Sequence, residues 1–270
     1  SDAVLFRGRR LWENITLPKH RIPEQKWIFW EYEPPYKVNG LFESYETRYV
    51  FNLTSTYTFD SDIPLTSPRK YYPLTHFPYQ DYAKNKTKLV AWFVSVCRSQ
   101  SKREDYVKEL SQYIPIDIYG GCGTLECGGK NMKARKECSE DLLNNVYKFY
   151  LAFENSLCKD YVTEKLFKNK GYDVISVVMG AVDYANIMPP GTFIDVKNYP
   201  HPEDLARYIQ YLDRNDDAYN DMMNAKRALK PVFRDNTPYE CRLCKYLHDN
   251  YQKKEMVFDV ARYWSLENQC

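Results

Sequence analysis

From Leu89 onward, the hydrophobic pattern of the chain alternates between two periods. Leu89–Val96 is a nearly continuous apolar run, which is typical of a strand buried on both faces of a sheet. Ser101 and Glu104 then have the spacing of a capping box, and a helical face follows, formed by Tyr106, Val107, Leu110, Tyr113 and Ile114. Pro115–Tyr119 has the pattern of a second strand, so this stretch predicts a β–α–β unit.

The same alternation continues through residue 229. Further strands are predicted at Lys148–Phe153, Val174–Met179 and Thr192–Val196, and helices at Thr163–Asn169, from Pro202 onward and at Asp216–Leu229. Strands separated by helices predict an α/β fold with a mostly parallel sheet and helices on both faces. Ligands of such sheets bind beyond the carboxyl ends of the strands, which here are followed by residues 95–103 and 153–165.

Residues 1–88 differ from the rest of the chain in composition and in hydrophobic pattern. They are rich in Pro and Tyr, and their extended runs are short, as at Trp27–Trp30 and Tyr49–Leu53. The charged segment Lys84–Lys88 lies at the boundary between this region and the region of alternating strands and helices. We therefore predict two domains, residues 1–85 and residues 86–270.

Composition narrows the class of protein. The 270 residues are 44% apolar and 27% charged, with a mean hydropathy of −0.64, which excludes disordered, collagen-like and multi-span membrane proteins. The formal net charge is only +2, so the overall charge does not favour non-specific binding to nucleic acid or another polyanion. Any anion site must therefore be local.

The cysteines and the glycosylation acceptors bear on the cellular compartment. Eight cysteines occur together with three Asn-x-Ser/Thr acceptors, at Asn14, Asn52 and Asn85, and this combination favours an oxidising secretory compartment. Disulfides are the favoured state, although the spacings leave their connectivity open. The alternative of a zinc site at Cys241 and Cys244 lacks a second cysteine pair and a suitably spaced histidine pair.

Polar chemistry is concentrated in residues 148–167, KFYLAFENSLCKDYVTEKLF, where a predicted strand passes into a predicted helix. Five of these side chains are candidates to contact a ligand: Glu154, Asn155, Tyr161, Glu164 and Lys165. A lysine in the first helical turn opposes the helix dipole at a cost of about 0.3–1 kcal/mol when exposed. A bound phosphate would offset that cost, because amides and an ammonium suit it. The alternative interpretation is a surface lysine on a fraying helix.

The same segment carries a resemblance to a known family. FENS-x3-DYVTEKL is similar to the signature of the α1,3/α1,4-fucosyltransferases, which are inverting enzymes that use GDP-fucose. Similar segments follow the family order over almost the whole chain: WIFWEYEPP (27–35), FNLTSTYTFDSDI (51–63), KTKLVAWFVS (86–95), VVMGAVDYANIMPPGTFIDV (177–196), PEDLARYIQYLD (202–213) and CRLC (241–244). The cysteine pattern, which ends at Cys270, looks most like that of the invertebrate and plant enzymes that fucosylate the N-glycan core.

The resemblance implies a fold and a location. The fold would be two Rossmann-like domains of the GT-B type that face each other across a cleft. Relatives carry a further strand–helix portion, a stem and a membrane anchor before the point that corresponds to Ser1, so we expect the amino-terminal domain to be incomplete in this sequence. The implied location is the Golgi lumen, with anchoring by an amino-terminal segment that the sequence does not include.

The resemblance also implies which residues act. Glu33 would be the general base, and the donor would contact Ser95, Arg103, Asn155, Tyr161, Glu164, Lys165 and Tyr57. Inverting transfer needs a carboxylate that takes the proton of the acceptor hydroxyl and fixed cations that stabilise the departing GDP. The implied partners are GDP-fucose and a glycoprotein glycan, whose GlcNAc hydroxyl would receive L-fucose in α1,3 linkage, and no nucleic acid.

Two substitutions leave a second function open. Val96 and Thr58 stand where relatives carry Asn and Arg. Together with the amino-terminal portion that the sequence lacks, they favour a degenerate relative that binds nucleotide sugar or glycan without turnover. An active enzyme is favoured by the presence of Glu33, Arg103, Glu164 and Lys165.

A short acidic motif and two loops bear on metal dependence and on the choice of acceptor. Asp60-Ser61-Asp62 matches the Asp-x-Asp motif of metal-dependent glycosyltransferases of another fold. Because the family resembled here carries the same triplet while cationic side chains neutralise the diphosphate, we interpret it as a structural loop. We expect no required cofactor, with Mn²⁺ at most stimulating transfer. Acceptor specificity is expected in loops 34–48 and 64–82, whose sequence does not identify a sugar.

Overall fold

The structure is a computed structural model that describes residues 1–11, 17–38, 48–65, 69–233 and 237–270. The acceptor Asn14 and most of loop 34–48 lie outside these residues. The strands within them are β1 (Ala3–Arg7), β2 (Lys26–Glu31), β3 (Leu53–Thr56), β4 (Arg69–Pro73), β5 (Lys88–Phe93), β6 (Ile116–Tyr119), β7 (Tyr147–Phe153), β8 (Ile175–Met179), β9 (Ile194–Asp195) and β10 (Leu229–Phe233). The α-helices are α1 (Arg103–Leu110), α2 (Met132–Asn145), α3 (Glu164–Phe167), α4 (Pro202–Arg214), α5 (Asp216–Arg227), α6 (Tyr239–Asp249), α7 (Val260–Tyr263) and α8 (Leu266–Gln269).

The chain divides into two compact units, and neither unit is one continuous stretch of sequence. The first unit comprises Ser1–Arg69, Ser156–Tyr161 and Phe233–Cys270. The second unit comprises Lys70–Asn155 and Val162–Val232.

This division differs in two places from the predicted domains 1–85 and 86–270. Residues 70–85 belong to the second unit, because Tyr82 and Ala83 are buried in its core. The chain after residue 232 returns to the first unit, because α6 and α7 supply part of that unit's core. The predicted arrangement of two domains facing across a cleft stays a prediction.

A parallel three-stranded sheet in the order β1–β2–β3 forms the centre of the first unit. The central strand β2 is buried on both faces, since neither Ile28 nor Phe29 has any exposed surface. Ile28 packs with Leu53 and the apolar side of α6. On the other face, Phe29 packs edge-on against Phe51 and Trp264. This two-sided burial explains why the strand lacks polar alternation.

The second unit contains a five-stranded parallel sheet in the order β6–β5–β7–β8–β9. Side chains of α1, α4 and α5 bury one face of it, and side chains of α2 and α3 bury the other. After β5 the chain forms β6 on one side of that strand and then β7 on its other side. The strand order therefore reverses between β5 and β7, and such a reversal opens a crevice at the carboxyl ends of the two strands.

The predicted α/β fold with a parallel sheet is confirmed. Strands β5 to β9 and helices α1, α3, α4 and α5 lie within a few residues of their predicted positions. Helix α2 was not predicted, because Leu143 is the one residue of its 14 that is fully buried and no apolar stripe marks it. Within the described ranges, no helix is long and apolar enough to cross a membrane.

The start of α1 corrects the predicted capping box. Glu104 accepts hydrogen bonds from the main-chain N and from Oγ of Ser99, both at 2.7 Å, rather than pairing with Ser101. The N-cap residue is Lys102. Its backbone is left-handed (φ 51°), and its side chain forms no capping hydrogen bond. Ser101 Oγ instead donates to the carbonyl of Glu154 at 2.7 Å. The predicted capping serine thus ties the start of α1 to the end of β7.

Three disulfides join six of the cysteines: Cys97–Cys122, Cys127–Cys138 and Cys158–Cys270. The first two lie in the second unit and the third lies in the first unit. Cys241 and Cys244 are free and exposed, so the favoured disulfide state does not hold for this pair.

Removing the Cys158–Cys270 disulfide should destabilise the chain. The two cysteines are separated by 112 residues, and losing a cross-link over a long loop costs about 2–5 kcal/mol because the unfolded chain gains freedom. We expect Cys158→Ser/Cys270→Ser to lower the free energy of unfolding by that amount in chemical denaturation. The matched control, Cys241→Ser/Cys244→Ser, removes two exposed thiols and should leave it unchanged. Equal stability of the two double variants would contradict the prediction.

Candidate active site

A cavity of about 670 Å³ lies at the carboxyl ends of β5, β6 and β7, where the strand order of the second unit reverses. Its walls come from the loop after β5, the Cys- and Gly-rich loop after β6, and helices α2 and α3. The rings of Phe93, Tyr119 and Tyr150 form an apolar wall, and the first two are stacked with centroids 4.7 Å apart. The position and size are those of a ligand site in an open α/β sheet.

Two features fix the loops around this cavity. Gly120 has φ 96°, and a Cβ at this residue would come within 2.7 Å of the Val94 carbonyl oxygen, so the turn requires glycine. The Cys97–Cys122 disulfide joins the loop after β5 to the loop after β6. The predicted site residue Ser95 lies in the loop after β5, between Val94 and the disulfide-bonded Cys97. It is exposed and lines the cavity.

Positive side chains outnumber negative ones around the cavity. The carboxylates are Glu126 and Glu164, and the cations are Lys130, Arg135, Lys136, Lys165 and Lys168. In a chain with a net charge of +2, this is a local concentration of positive charge, as expected for an anion site. Of these seven, only Glu164 and Lys165 are predicted from the sequence. The basic run at residues 133–136, directly after the Cys- and Gly-rich loop, is the pattern that indicates Arg135 and Lys136.

A buried carboxylate holds Lys165 at the cavity wall. The Nζ atom of Lys165 donates to Glu154 Oε2 at 2.9 Å and to Thr163 Oγ1 at 2.7 Å. Glu154, whose side chain is 1% exposed, also accepts from the main-chain N of Thr163 at 2.8 Å. Burial raises the pKa of Glu154, and the charge and hydrogen bond of Lys165 oppose that rise. Glu154 therefore fixes both the start of α3 and the ammonium group beside the cavity.

Arg103 is buried, and the lining of the cavity within the described chain does not include it. Its Nη1 donates to the Phe153 carbonyl at 2.6 Å and its Nη2 to the Val96 carbonyl at 3.5 Å. The guanidinium therefore bridges the ends of β7 and β5, the two strands between which the order reverses. The predicted contact of Arg103 with a diphosphate stays a prediction.

Asn155 has a buried polar atom that no described residue satisfies. Its Oδ1 lacks a hydrogen-bond partner within the described part of the chain, whereas its main-chain carbonyl accepts from Ser101 N at 3.2 Å. A buried acceptor left unpaired costs about 1–3 kcal/mol. The described lining of the cavity does not include Asn155, so its predicted contact with a ligand stays a prediction.

Tyr57 and Tyr161 lie in the core of the first unit. Their ring centroids are 4.9 Å apart, and they pack with Trp264 in the cluster that also contains Cys158. Burial raises the pKa of Tyr57 far above its ordinary value, so its phenol stays protonated. The predicted site residues are thus distributed between two units: Ser95, Arg103, Asn155, Glu164 and Lys165 in the second, and Glu33, Tyr57 and Tyr161 in the first.

Glu33, the predicted general base, follows β2 in a short irregular segment. It is half-buried, and among the described residues its carboxylate has no hydrogen-bond or ion-pair partner. Two residues earlier, Glu31 is completely buried. The Glu31 carboxylate accepts hydrogen bonds from the main-chain N of Arg9 at 2.5 Å, Tyr32 at 2.9 Å and Glu33 at 2.9 Å. Glu31 is not predicted from the sequence, because a fully buried acid at the end of an apolar strand has no pattern of its own.

The Asp60-Ser61-Asp62 triplet has the contacts of a structural loop. Asp60 forms an ion pair with Lys159 at 2.6 Å. One carboxylate oxygen of Asp62 accepts from both the main-chain N and Oγ1 of Thr54 at 2.8 Å. Over the residues that the structure describes, no group of three or more His, Cys, Asp or Glu side chains could hold a metal ion.

The two departures from the family pattern have different surroundings. Thr58 is buried, and its Oγ1 lies 2.8 Å from Thr56 Oγ1 and 3.1 Å from the Tyr263 hydroxyl. The position where relatives carry arginine is therefore part of a closed hydroxyl network in this chain. Val96 is exposed in the loop after β5.

A parallel α/β unit with a cationic cavity at its strand reversal is typical of enzymes that bind an anionic nucleotide ligand. Comparison with family models defines the family within this class. The model described as "Glycosyltransferase family 10 (fucosyltransferase) C-term" matches residues 83–264, and "Fucosyltransferase, N-terminal" matches residues 1–67. The chain therefore belongs to glycosyltransferase family 10, the fucosyltransferases, which confirms the resemblance drawn from the sequence.

Individual relatives agree with this assignment. The chain is 34% identical to alpha-(1,3)-fucosyltransferase C of Drosophila melanogaster over 97% of its own length and 65% of that protein. It is 36% identical to glycoprotein 3-alpha-L-fucosyltransferase A of the same organism, over 100% of its own length and 53% of that protein. The chain thus spans between about half and two thirds of the curated relatives it matches first.

A solved structure supports the fold. A crystal structure of alpha1,3-fucosyltransferase with GDP-fucose aligns with 96% of this chain and 80% of that chain, with a TM-score of 0.60 and 19% sequence identity. At this identity the likeness concerns the fold alone.

Replacing Lys165 should weaken binding of GDP. We expect Lys165→Ala to raise the Kd measured by calorimetry about ten- to a hundredfold, which is the size of a lost charge-assisted hydrogen bond. Because this change also leaves the Glu154 carboxylate buried without its cation, Glu154→Gln/Lys165→Ala should be measured beside it. The matched control is Lys133→Ala, a lysine of α2 outside the cavity lining, which should keep the parental Kd. Parental affinity in both Lys165 variants would exclude this cation from the site.

Proposed function

We propose that this protein transfers L-fucose from GDP-fucose to a GlcNAc hydroxyl of a glycoprotein glycan, in α1,3 linkage and with inversion. The observation that carries the proposal is the cationic cavity at the strand reversal of a family 10 chain. The names of the two Drosophila relatives support the α1,3 linkage, and one of them supports a glycoprotein acceptor. The structural neighbour that holds GDP-fucose supports the donor.

The cavity supplies groups suited to the leaving nucleotide. When the bond between the anomeric carbon and the phosphate oxygen breaks, negative charge grows on the diphosphate, and Lys165 with its neighbouring cations stabilises that charge. Glu164 is exposed at the cavity and can accept two hydrogen bonds from ribose hydroxyls. Asn155, which the described lining of the cavity does not include, is proposed as a further donor contact through its unpaired Oδ1.

Glu33 is the proposed general base at the acceptor. Its carboxylate takes the proton of the GlcNAc hydroxyl while the hydroxyl oxygen forms its bond to the anomeric carbon of fucose and GDP departs with the electrons of the broken bond. A single displacement of this kind inverts the anomeric configuration. The half-buried carboxylate is available for this task, since no described residue forms a hydrogen bond or an ion pair with it.

The compartment and partners follow from the same proposal. Three disulfides suit an oxidising lumen, and we propose the Golgi lumen, with anchoring by an amino-terminal segment outside this sequence. GDP-fucose and a glycan acceptor are the proposed partners. Whether the glycan is an N-glycan core or an antenna is decided by offering both acceptors in one assay.

Replacing Glu33 should separate binding from chemistry. We expect Glu33→Gln to abolish transfer of radiolabelled fucose while the Kd for GDP stays within a few-fold of the parental value, because the amide keeps the size of the side chain but cannot accept the proton. Glu24→Gln, at an exposed glutamate of the same unit, is the matched control and should transfer at the parental rate. A Glu33→Gln variant with parental activity would exclude this residue as base. A parental chain that binds GDP without transferring to either acceptor would instead support the degenerate relative.

Metal removal should not stop the reaction. Because lysine and arginine side chains surround the cavity, we expect transfer to continue in excess EDTA, with added Mn²⁺ raising the rate by a few-fold at most. A metal-dependent glycosyltransferase assayed in parallel verifies that chelation is complete. Activity that disappears in EDTA and returns with Mn²⁺ would show that the cations alone are insufficient.

A further inference from the structure

We propose that Glu31 is a positioning residue that fixes the backbone on which Glu33 stands. The inference rests on the proposed function, since it takes Glu33 as the general base. It is carried by the three main-chain N–H groups that converge on the Glu31 carboxylate, one of which belongs to Glu33 itself.

The three hydrogen bonds come from two separate segments. Oε1 of Glu31 accepts from the N–H groups of Tyr32 and Glu33, both at 2.9 Å. Oε2 accepts from the N–H of Arg9, at 2.5 Å, just beyond the end of β1. One carboxylate therefore ties the segment after β2 to the segment after the neighbouring parallel strand. Glutamine, the neutral side chain of the same size, has only one acceptor oxygen and could not replace both contacts.

The surroundings leave the carboxylate little freedom. Glu31 has no exposed surface, and a Cβ on Gly8 would lie 2.6 Å from the Phe29 ring and 3.3 Å from Glu31 Oε2. Glycine at residue 8 thus permits the close approach of the chain to this acid. Burial raises the pKa of Glu31, while the three N–H groups and the charge of Arg7 oppose the rise. The three N–H groups thus hold the Glu31 carboxylate in one position, in place of the water that would surround an exposed acid.

Glu33 is restrained on both of its sides. Its N–H is held by Glu31, and the residue that follows is Pro34, which disfavours a helical backbone at the position before it. Pro34 itself is extended (φ −67°, ψ 161°) and leads into the short 3-10 turn Pro35–Lys37. A base held on irregular backbone gains precision from such restraints, because small displacements of a reacting group reduce the rate strongly.

The test is a comparison in two backgrounds. In Glu31→Gln one carboxylate oxygen becomes an NH₂ group that faces an N–H donor, so at least one of the three hydrogen bonds is lost. We expect kcat to fall about ten- to a hundredfold in the parental background, the range for a charge-assisted hydrogen bond, with the KM for GDP-fucose unchanged. In Glu33→Asp, whose carboxylate is already displaced by one methylene, the same substitution should lower kcat by less than about threefold, because coupled residues are not additive.

Ser55→Ala provides the matched control. Ser55 is buried in the neighbouring strand β3 and bonds to the Ile63 carbonyl and the Tyr239 hydroxyl, without contact to Glu33. It should change kcat by the same factor in both backgrounds. Should Glu31→Gln fail to fold, Glu31→Asp, which keeps the charge but cannot reach all three N–H groups, replaces it in the same comparison.

The outcomes separate this inference from the proposed function. If Glu31→Gln lowers kcat by the same factor in the parental and the Glu33→Asp backgrounds, Glu31 is merely structural and the positioning role is overturned. If Glu33→Asp itself transfers fucose at the parental rate, the assignment of the base fails whatever Glu31 does. A loss confined to the parental background, with the KM for GDP-fucose retained, supports both.

Discussion

The ion pair between Glu154 and Lys165 is the interaction on which the candidate site depends. The carboxylate is 1% exposed and the lysine side chain 19% exposed, so the acid is held inside while the ammonium reaches the cavity. Removing one member of a buried pair costs about 3–5 kcal/mol, because the other charge is left without compensation. The Glu154 carboxylate therefore neutralises part of the charge of Lys165 even without a ligand. The other cations around the cavity must supply the rest of the attraction for an anion.

Buried acids at strand ends have the same structural role in both units. Glu154 follows β7 and accepts one main-chain N–H, from Thr163, whereas Glu31 ends β2 and accepts two from the residues that follow it, Tyr32 and Glu33. Where the chain leaves a buried strand, main-chain N–H groups that lose their partners are costly unless another acceptor satisfies them. A carboxylate satisfies several of them at once. The irregular segments after β7 and β2 are thereby tied to the ends of their strands.

The sequence predicted the second unit well, because its strands and helices alternate with clear periods. The positions of β5 to β9, to within a few residues, and a ligand site beyond the carboxyl ends of strands in this sheet follow from that pattern alone. Helix α2 was missed since it packs through little more than Leu143 and carries charged residues elsewhere. The polar segment 148–167 already indicated Lys165 and Glu164, and the family resemblance added Arg103 without indicating that its guanidinium is turned toward the strand ends. Such contacts depend on which carbonyls a fold leaves unpaired, and a local pattern does not encode them.

The discontinuity of the two units has a consequence for synthesis on the ribosome. The first unit combines Ser1–Arg69 with Ser156–Tyr161 and Phe233–Cys270, and the Cys158–Cys270 disulfide joins the second of these segments to the third. The growing chain therefore cannot complete its amino-terminal half first, as a protein built of consecutive domains can. Strands β1 to β3 therefore stay partly uncovered until residues 233–270 have been synthesised. A chain whose units are contiguous in sequence would cover such strands before its second unit is made.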